Sequence, residues 1–223
     1  KKTRAILARL ASECRAMRDR LADAAWTALQ VPLTYLEQGR NLAWAALAGA
    51  EEMVNLRHYP RHDVVDPDAR TRFYYHSHPI EGGQGEHGHF HLFHVGRQAH
   101  HHLGALSLND RGQPLRWFST NQWVTGERWL APRVLHQRVR AFRCQTRGRM
   151  APVARWLSAM VALYENDLVT LAYHRQARLN AMDRSERKRF SAHPDIHVLD
   201  SVPIFLQDRI QPFITSTNSG DPT

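Results

Sequence analysis

Five histidines crowd the stretch from His76 to His91: His76, His78, His87, His89 and His91. The chain has 15 histidines in 223 residues, so a sixteen-residue window should hold about one (15/223 × 16). Position says more than number. Side chains alternate faces along a strand, so His76 and His78 share one face, and His87, His89 and His91 share another. The opposite faces carry Phe73 and Tyr75 on one segment, Phe90 and Leu92 on the other. A hairpin turning through Pro79 to Glu86 pairs His78 with His87 and His76 with His89. Directly opposed side chains have Cβ atoms about 4.5–5.5 Å apart, which lets imidazoles from both strands converge on one ion. His76, His78, His89 and His91 are the candidate ligands. His87 completes the candidate set, and His87 or His91 can instead orient a ligand from behind. Glu86, beside His87, is read as a further ligand or as a general base acting on a bound water. Glu81 is the other carboxylate of the loop.

Such a site takes a divalent transition metal, iron or zinc first and copper or manganese next, with nickel also fitting imidazole ligands. The two cysteines, Cys14 and Cys144, are far apart and outside any C-x-x-C spacing. That excludes a thiolate zinc site and a disulfide scaffold. Three plainer readings compete: polar filler on an exposed strand, hydrogen-bonded core histidines, and pH-sensing groups. His100, His101 and His102 are consecutive, cannot all share a face, and read as loop filler.

A second constellation is Trp117-Phe-Ser-Thr-Asn-Gln-Trp-Val-Thr-Gly-Glu127, at a strand-to-helix junction. Asn121, Thr125 and Glu127 are candidates to orient a substrate or a metal-bound water. Helix capping by Thr120 or Thr125 with aromatic packing explains the same residues. Tyr74 and Tyr75 read as core or hydrogen-bond anchors.

The elements that must position these groups follow from periodicity. Apolar residues from Ile6 to Ala24 recur at three- and four-residue steps, predicting an amphipathic helix from Thr3 to about Leu29. Pro32 ends it and opens a second helix reaching about Arg57. Tyr59 to Asp68, with two prolines and three aspartates, reads as a loop. Strands are predicted at Arg72–His78, His87–Val95, Leu103–Leu108 and Leu115–Thr120, with a tight turn at Asn109-Asp-Arg-Gly112. Helices then restart at Pro132, run from Pro152 to Leu179, and follow Asp183; Ile196 to Phe205 adds an edge strand. The expected fold is a single α+β domain over residues 1–214, an antiparallel meander of about four strands between helices, with the histidine hairpin at 72–95 and a disordered tail at 215–223.

Composition bounds the partners. Hydrophobic residues at 43% and charged residues at 23% are globular values, and no apolar run approaches the roughly 20 residues that span a bilayer. Charges at Arg9, Glu13, Arg15 and Arg18 exclude a signal-peptide core there; a leader removed ahead of Lys1 stays open. The expected location is the cytoplasm, with no membrane partner. The net charge of +9 is nearly all arginine, spread over predicted helix faces, so nucleic acid is a less favoured partner than a small-molecule substrate. Oligomeric state is not legible.

The runs Tyr74-Tyr-His-Ser-His78, Glu86-His-Gly-His-Phe-His-Leu-Phe93 and Thr120-Asn-Gln-Trp-Val-Thr-Gly-Glu127 resemble a bacterial family of unknown function across most of Tyr59 to Phe205. The resemblance implies one conserved domain and supplies no activity. The H-x-H followed by a carboxylate is also similar to cupin metal motifs, but Glu81 and Glu86 miss the cupin spacing and the second cupin motif is missing. The reading is a metal-dependent enzyme, iron-oxygenase-like or zinc-hydrolase-like. The alternatives are a metal-binding or metal-sensing protein without turnover and a basic nucleic-acid-binding module.

Overall fold

The computed structural model describes residues 2–78 and 85–214; Glu81 and the tail from Thr215 lie outside the described residues. The elements are α1 Lys2–Glu37, α2 Leu42–Ala46, β1 Tyr59–Asp66, β2 Thr71–His76, β3 Glu86–Val95, β4 His100–Asn109 and β5 Pro114–Thr120. After these come α3 Gln122–Thr125, α4 Pro132–Arg140, a 3₁₀ turn at Gly148–Met150, α5 Ala151–Leu163, α6 Glu165–Asn180, α7 Arg184–Ser191, β6 Val198–Pro203 and α8 Leu206–Ile214. The class is α+β, as the patterning predicts. The sheet has six antiparallel strands in the order β1 to β6, two more than the central four.

The extra strands are the edges. β1 is the segment predicted as a loop. Its Pro60 lacks an N–H, which an edge strand tolerates, and its aspartates and arginine discourage pairing with another chain. Val64 and Tyr59 nevertheless anchor it, both buried and facing β2. β6 pairs with β5 as the other edge.

The helices differ from expectation at their breaks. α1 runs through Pro32 to Glu37. A proline inside a helix costs about 3 kcal/mol, offset here because Ala25, Ala28 and Val31 are buried in the main core and Tyr35 packs against it. The expected second helix shrinks to α2. Gly39, with φ of +68°, turns the chain out of α1, and the Asn41 Oδ1 caps α2 by accepting from the Trp44 N–H at 2.8 Å. The long helix predicted from Pro152 divides at Tyr164, whose φ and ψ of −113° and 24° leave the helical region.

One face of the sheet makes the core. Phe73, Tyr75, Phe90, Leu92, Leu106, Leu108 and Trp117 join α1, α2, α5 and α6 in one apolar cluster. Strand β4 lies close to α6: a Cβ on Gly104 would come 2.5 Å from Leu168 Cδ2. The other face carries the imidazoles.

Candidate metal centre

Alternation and register bring the histidines together. His76 on β2 lies directly opposite His89 on β3, and Tyr74 lies opposite His91. That is the expected register for the first pair. His78 lies just beyond the end of β2, so the pairing with His87 does not form.

Two irregularities reshape the rest. Glu86 pairs with Asn109 and Gly88 with Leu108, so His87 is one extra residue on β3. This bulge puts Glu86 on the imidazole face and sends His87 to the other side, where its Nδ1 meets the Tyr75 hydroxyl at 2.8 Å. Leu92 pairs with Gly104 and Phe93 with His102, making Leu103 an extra residue on β4. That second bulge brings His102 onto the imidazole face. His100, His101 and His102, expected as loop filler, are therefore the first residues of a strand.

The result is a buried triad. His76 Nε2 is 2.9 Å from His89 Nε2 and 3.1 Å from His91 Nε2. Among the described residues, these three histidines form a group whose candidate ligand atoms all lie within 4.8 Å of one another. Metal–nitrogen bonds of 2.0–2.1 Å place neighbouring ligand nitrogens about 2.9 Å apart at right angles and about 3.3 Å apart at the tetrahedral angle. The two spacings from His76 Nε2 suit neighbouring ligands on one ion.

Protons settle which nitrogens are free. His89 Nδ1 lies 2.6 Å from Glu86 Oε1, so it is the protonated nitrogen and a neutral His89 keeps its Nε2 lone pair. His91 Nδ1 is 2.9 Å from His102 Nε2, and His102 Nδ1 is 3.1 Å from the Thr120 hydroxyl. When His91 donates to His102 and His102 to Thr120, His91 Nε2 is also a lone pair aimed at the centre. A partner behind each ligand fixing its tautomer is the usual support of a metal site.

Burial keeps the His76, His91 and His102 rings neutral. It pushes His76 down to about 2, aided by His89, His78 and His58. It pushes His91 well below its ordinary value, aided by His89 and His102. His102 falls to about 3, from burial first and then Arg175 and His89. For Glu86, burial raises the pKa, but the His89 hydrogen bond and the His89 and Arg116 charges outweigh it, and the net shift is downward. The centre therefore presents neutral His76 and His91 rings, with an ionised carboxylate behind His89.

The remaining candidates fall around this centre. The His78 ring stacks on His89 at 5.3 Å and meets His76 edge-on at 4.7 Å, beside the triad. Tyr74 shares the imidazole face, stacked on His58 at 3.7 Å. Asn121 is fully buried; its Oδ1 caps α3 at Gln122 N and its Nδ2 donates to the Phe190 carbonyl, so it holds elements together. Thr125 ends α3 instead of capping a helix start. Glu127 is buried behind His102, where its Oε2 accepts the His102 main-chain N–H. A depression of about 320 Å³ lined by Glu86, Leu115, Arg116, Ser201 and Pro203 borders the centre at Glu86.

Residues 22–204 match the model of a domain of unknown function, DUF6969. The chain belongs to this family. The triad, Glu86, His102, Thr120 and Glu127 all lie inside the matched span. No curated protein and no solved structure matches the chain. No helix among the described residues is long and apolar enough to cross a membrane.

Proposed function

We propose that the protein holds one divalent transition metal on the Nε2 atoms of His76, His89 and His91 and uses it as a metal-dependent enzyme on a small-molecule substrate. The observation that carries this reading is the convergence of three buried Nε2 atoms at 2.9 and 3.1 Å, two of them backed by outer partners. Three protein ligands leave a coordination position for water or substrate, as in catalytic zinc sites. Zinc is favoured over iron. Glu86 hydrogen-bonds His89 Nδ1, and so does not stand with two histidines as the carboxylate of a ferrous triad. A metal here supplies Lewis acidity and an acidified water. The chain's own residues then hold the ion, fix the ring tautomers and keep the centre largely dry. A reducing compartment such as the cytoplasm suits the free thiols of Cys14 and Cys144.

One observation favours a second reading. His78 sits beside the triad, and its ring as a fourth ligand would close the shell, making a binding or sensing site without turnover. Cobalt substitution separates the two. A visible spectrum that changes when azide or cyanide is added, in wild type and His78→Ala alike, supports an open position. A tetrahedral spectrum insensitive to added anions in wild type, made sensitive by His78→Ala, supports the closed site.

A further inference from the structure

Glu127 is a buried carboxyl with one oxygen unused. Its Oε2 takes the His102 main-chain N–H, while its Oε1 has no hydrogen-bond partner among the described residues. That free oxygen lies 3.9 Å from His102 Nδ1, the atom that also faces the Thr120 hydroxyl. The His102 ring in turn meets His91 Nδ1. Glu127 thus stands behind the third ligand much as Glu86 stands behind the second, one imidazole further out.

We propose, resting on the metal reading above, that Glu127 is the outer positioning carboxyl of this centre: protonated when the site is empty, and ionised when a divalent metal binds. The groups facing it make this a balanced arrangement. His102 faces it from β4, Arg175 from α6 through its charge, and Tyr74 from β2. Arg175 is itself buried and donates to the Leu130 carbonyl at 2.9 Å. Burial is the leading influence on the Glu127 carboxyl and holds it protonated up to about 8, against the opposing pull of the His102 N–H, Arg175 and the Thr125 hydroxyl. An isolated buried carboxylate is expensive. A divalent ion on His91 changes that, because its field reaches Glu127 through the His91–His102 pair. The step is a simple ionisation. The Glu127 O–H bond breaks, its proton goes to buffer, and the carboxylate left behind accepts from the His102 ring. Glu127 then supplies a proton on metal binding.

The test is calorimetric titration of the metal-free full-length protein with zinc at pH 7, in two buffers of different ionisation enthalpy. Wild type is expected to release about one proton per zinc more than Glu127→Gln, with zinc bound at the same stoichiometry in both. Above pH 8 the difference should fade, because Glu127 is then ionised in both states. A purely structural role for Glu127 would not move the proton count. Wild type binding zinc with no proton release at pH 7 overturns the proposal whether or not the variant folds. Equal release in the two proteins also overturns it. Failure of wild type to bind zinc at all sinks the metal reading instead.

Discussion

Replacing Glu86 with glutamine removes one negative charge while keeping the shape of the side chain. In the structure Glu86 Oε1 takes the His89 Nδ1–H at 2.6 Å, a short charge-assisted bond. Such a bond contributes about 1.5–3 kcal/mol, against about 1 kcal/mol for a neutral one. The substitution should therefore cost about 1–2 kcal/mol of metal binding, or a roughly 10-fold weaker Kd, within the 10- to 100-fold range of outer-partner substitutions. The Arg116 contact to the same carboxylate is longer, at 3.5 Å, and its side chain is about a third exposed, so solvent screens it and it adds little. There is a further effect in the same direction. A glutamine amide can donate to His89 Nδ1 and shift that ring's proton to Nε2, where it blocks the metal. The assay is competition for zinc against a chromophoric chelator, with His87→Ala as the control. His87 sits in the same motif, but its Nδ1 is engaged by Tyr75 on the core side, so its loss should leave zinc affinity within about twofold. A Glu86→Gln protein that binds zinc as tightly as wild type, or a His87→Ala protein weakened as much as Glu86→Gln, refutes the reasoning.

Other outcomes follow from the same geometry. His76, His94 and His102 have folded pKa values pushed from 6.5 to about 2, 4 and 3, chiefly by burial, so below pH 6.5 the unfolded chain binds more protons. The metal-free protein should then lose stability as pH falls through 6.5 and keep losing it towards pH 4; a Tm that is flat from pH 7 to 5 contradicts this. Glu127 acts in the opposite sense, its contribution present below its ordinary 4.5 and lost as pH rises through about 8, so Glu127→Gln should be the more stable form at pH 9 in the absence of metal. Gly88→Ala should destabilise by about 1–3 kcal/mol in denaturant titrations, because the new Cβ would lie 2.7 Å from the His76 carbonyl oxygen and 2.9 Å from the Tyr75 ring; an unchanged midpoint would show that the strands yield freely there.

Much of this was legible in the chain because one period governs it. Two-residue alternation around Phe73, Tyr75, Phe90 and Leu92 separates a core face from an imidazole face, and that alone places His76 opposite His89. What alternation cannot show is where it slips. A bulge inverts every side chain on one side of it, and nothing in Glu86-His-Gly-His89 or His102-Leu-Gly104 marks which residue is the extra one. His87 therefore changes places with Glu86, and His102 enters the centre from a run that reads as a loop. The edge strand β1 is hidden by Pro60 and its aspartates, which are the residues an edge needs. α1 passes Pro32 because packing against the core decides there, and local propensity does not register packing. Asn121 and Glu127 stand out in sequence as polar groups among tryptophans, yet both are buried: one caps and ties elements together, and the other lies behind His102.

The most direct test of the metal centre is elemental analysis of the untagged protein beside five single alanine variants, at His76, His89, His91, His78 and His87. The account predicts about one equivalent of a single transition metal in wild type, lost in His76→Ala, His89→Ala and His91→Ala and retained in His87→Ala; His78→Ala keeps it if the shell is open. Wild type that stays metal-free after reconstitution with zinc, iron, copper and manganese, or metal retained by a folded His91→Ala protein, contradicts it.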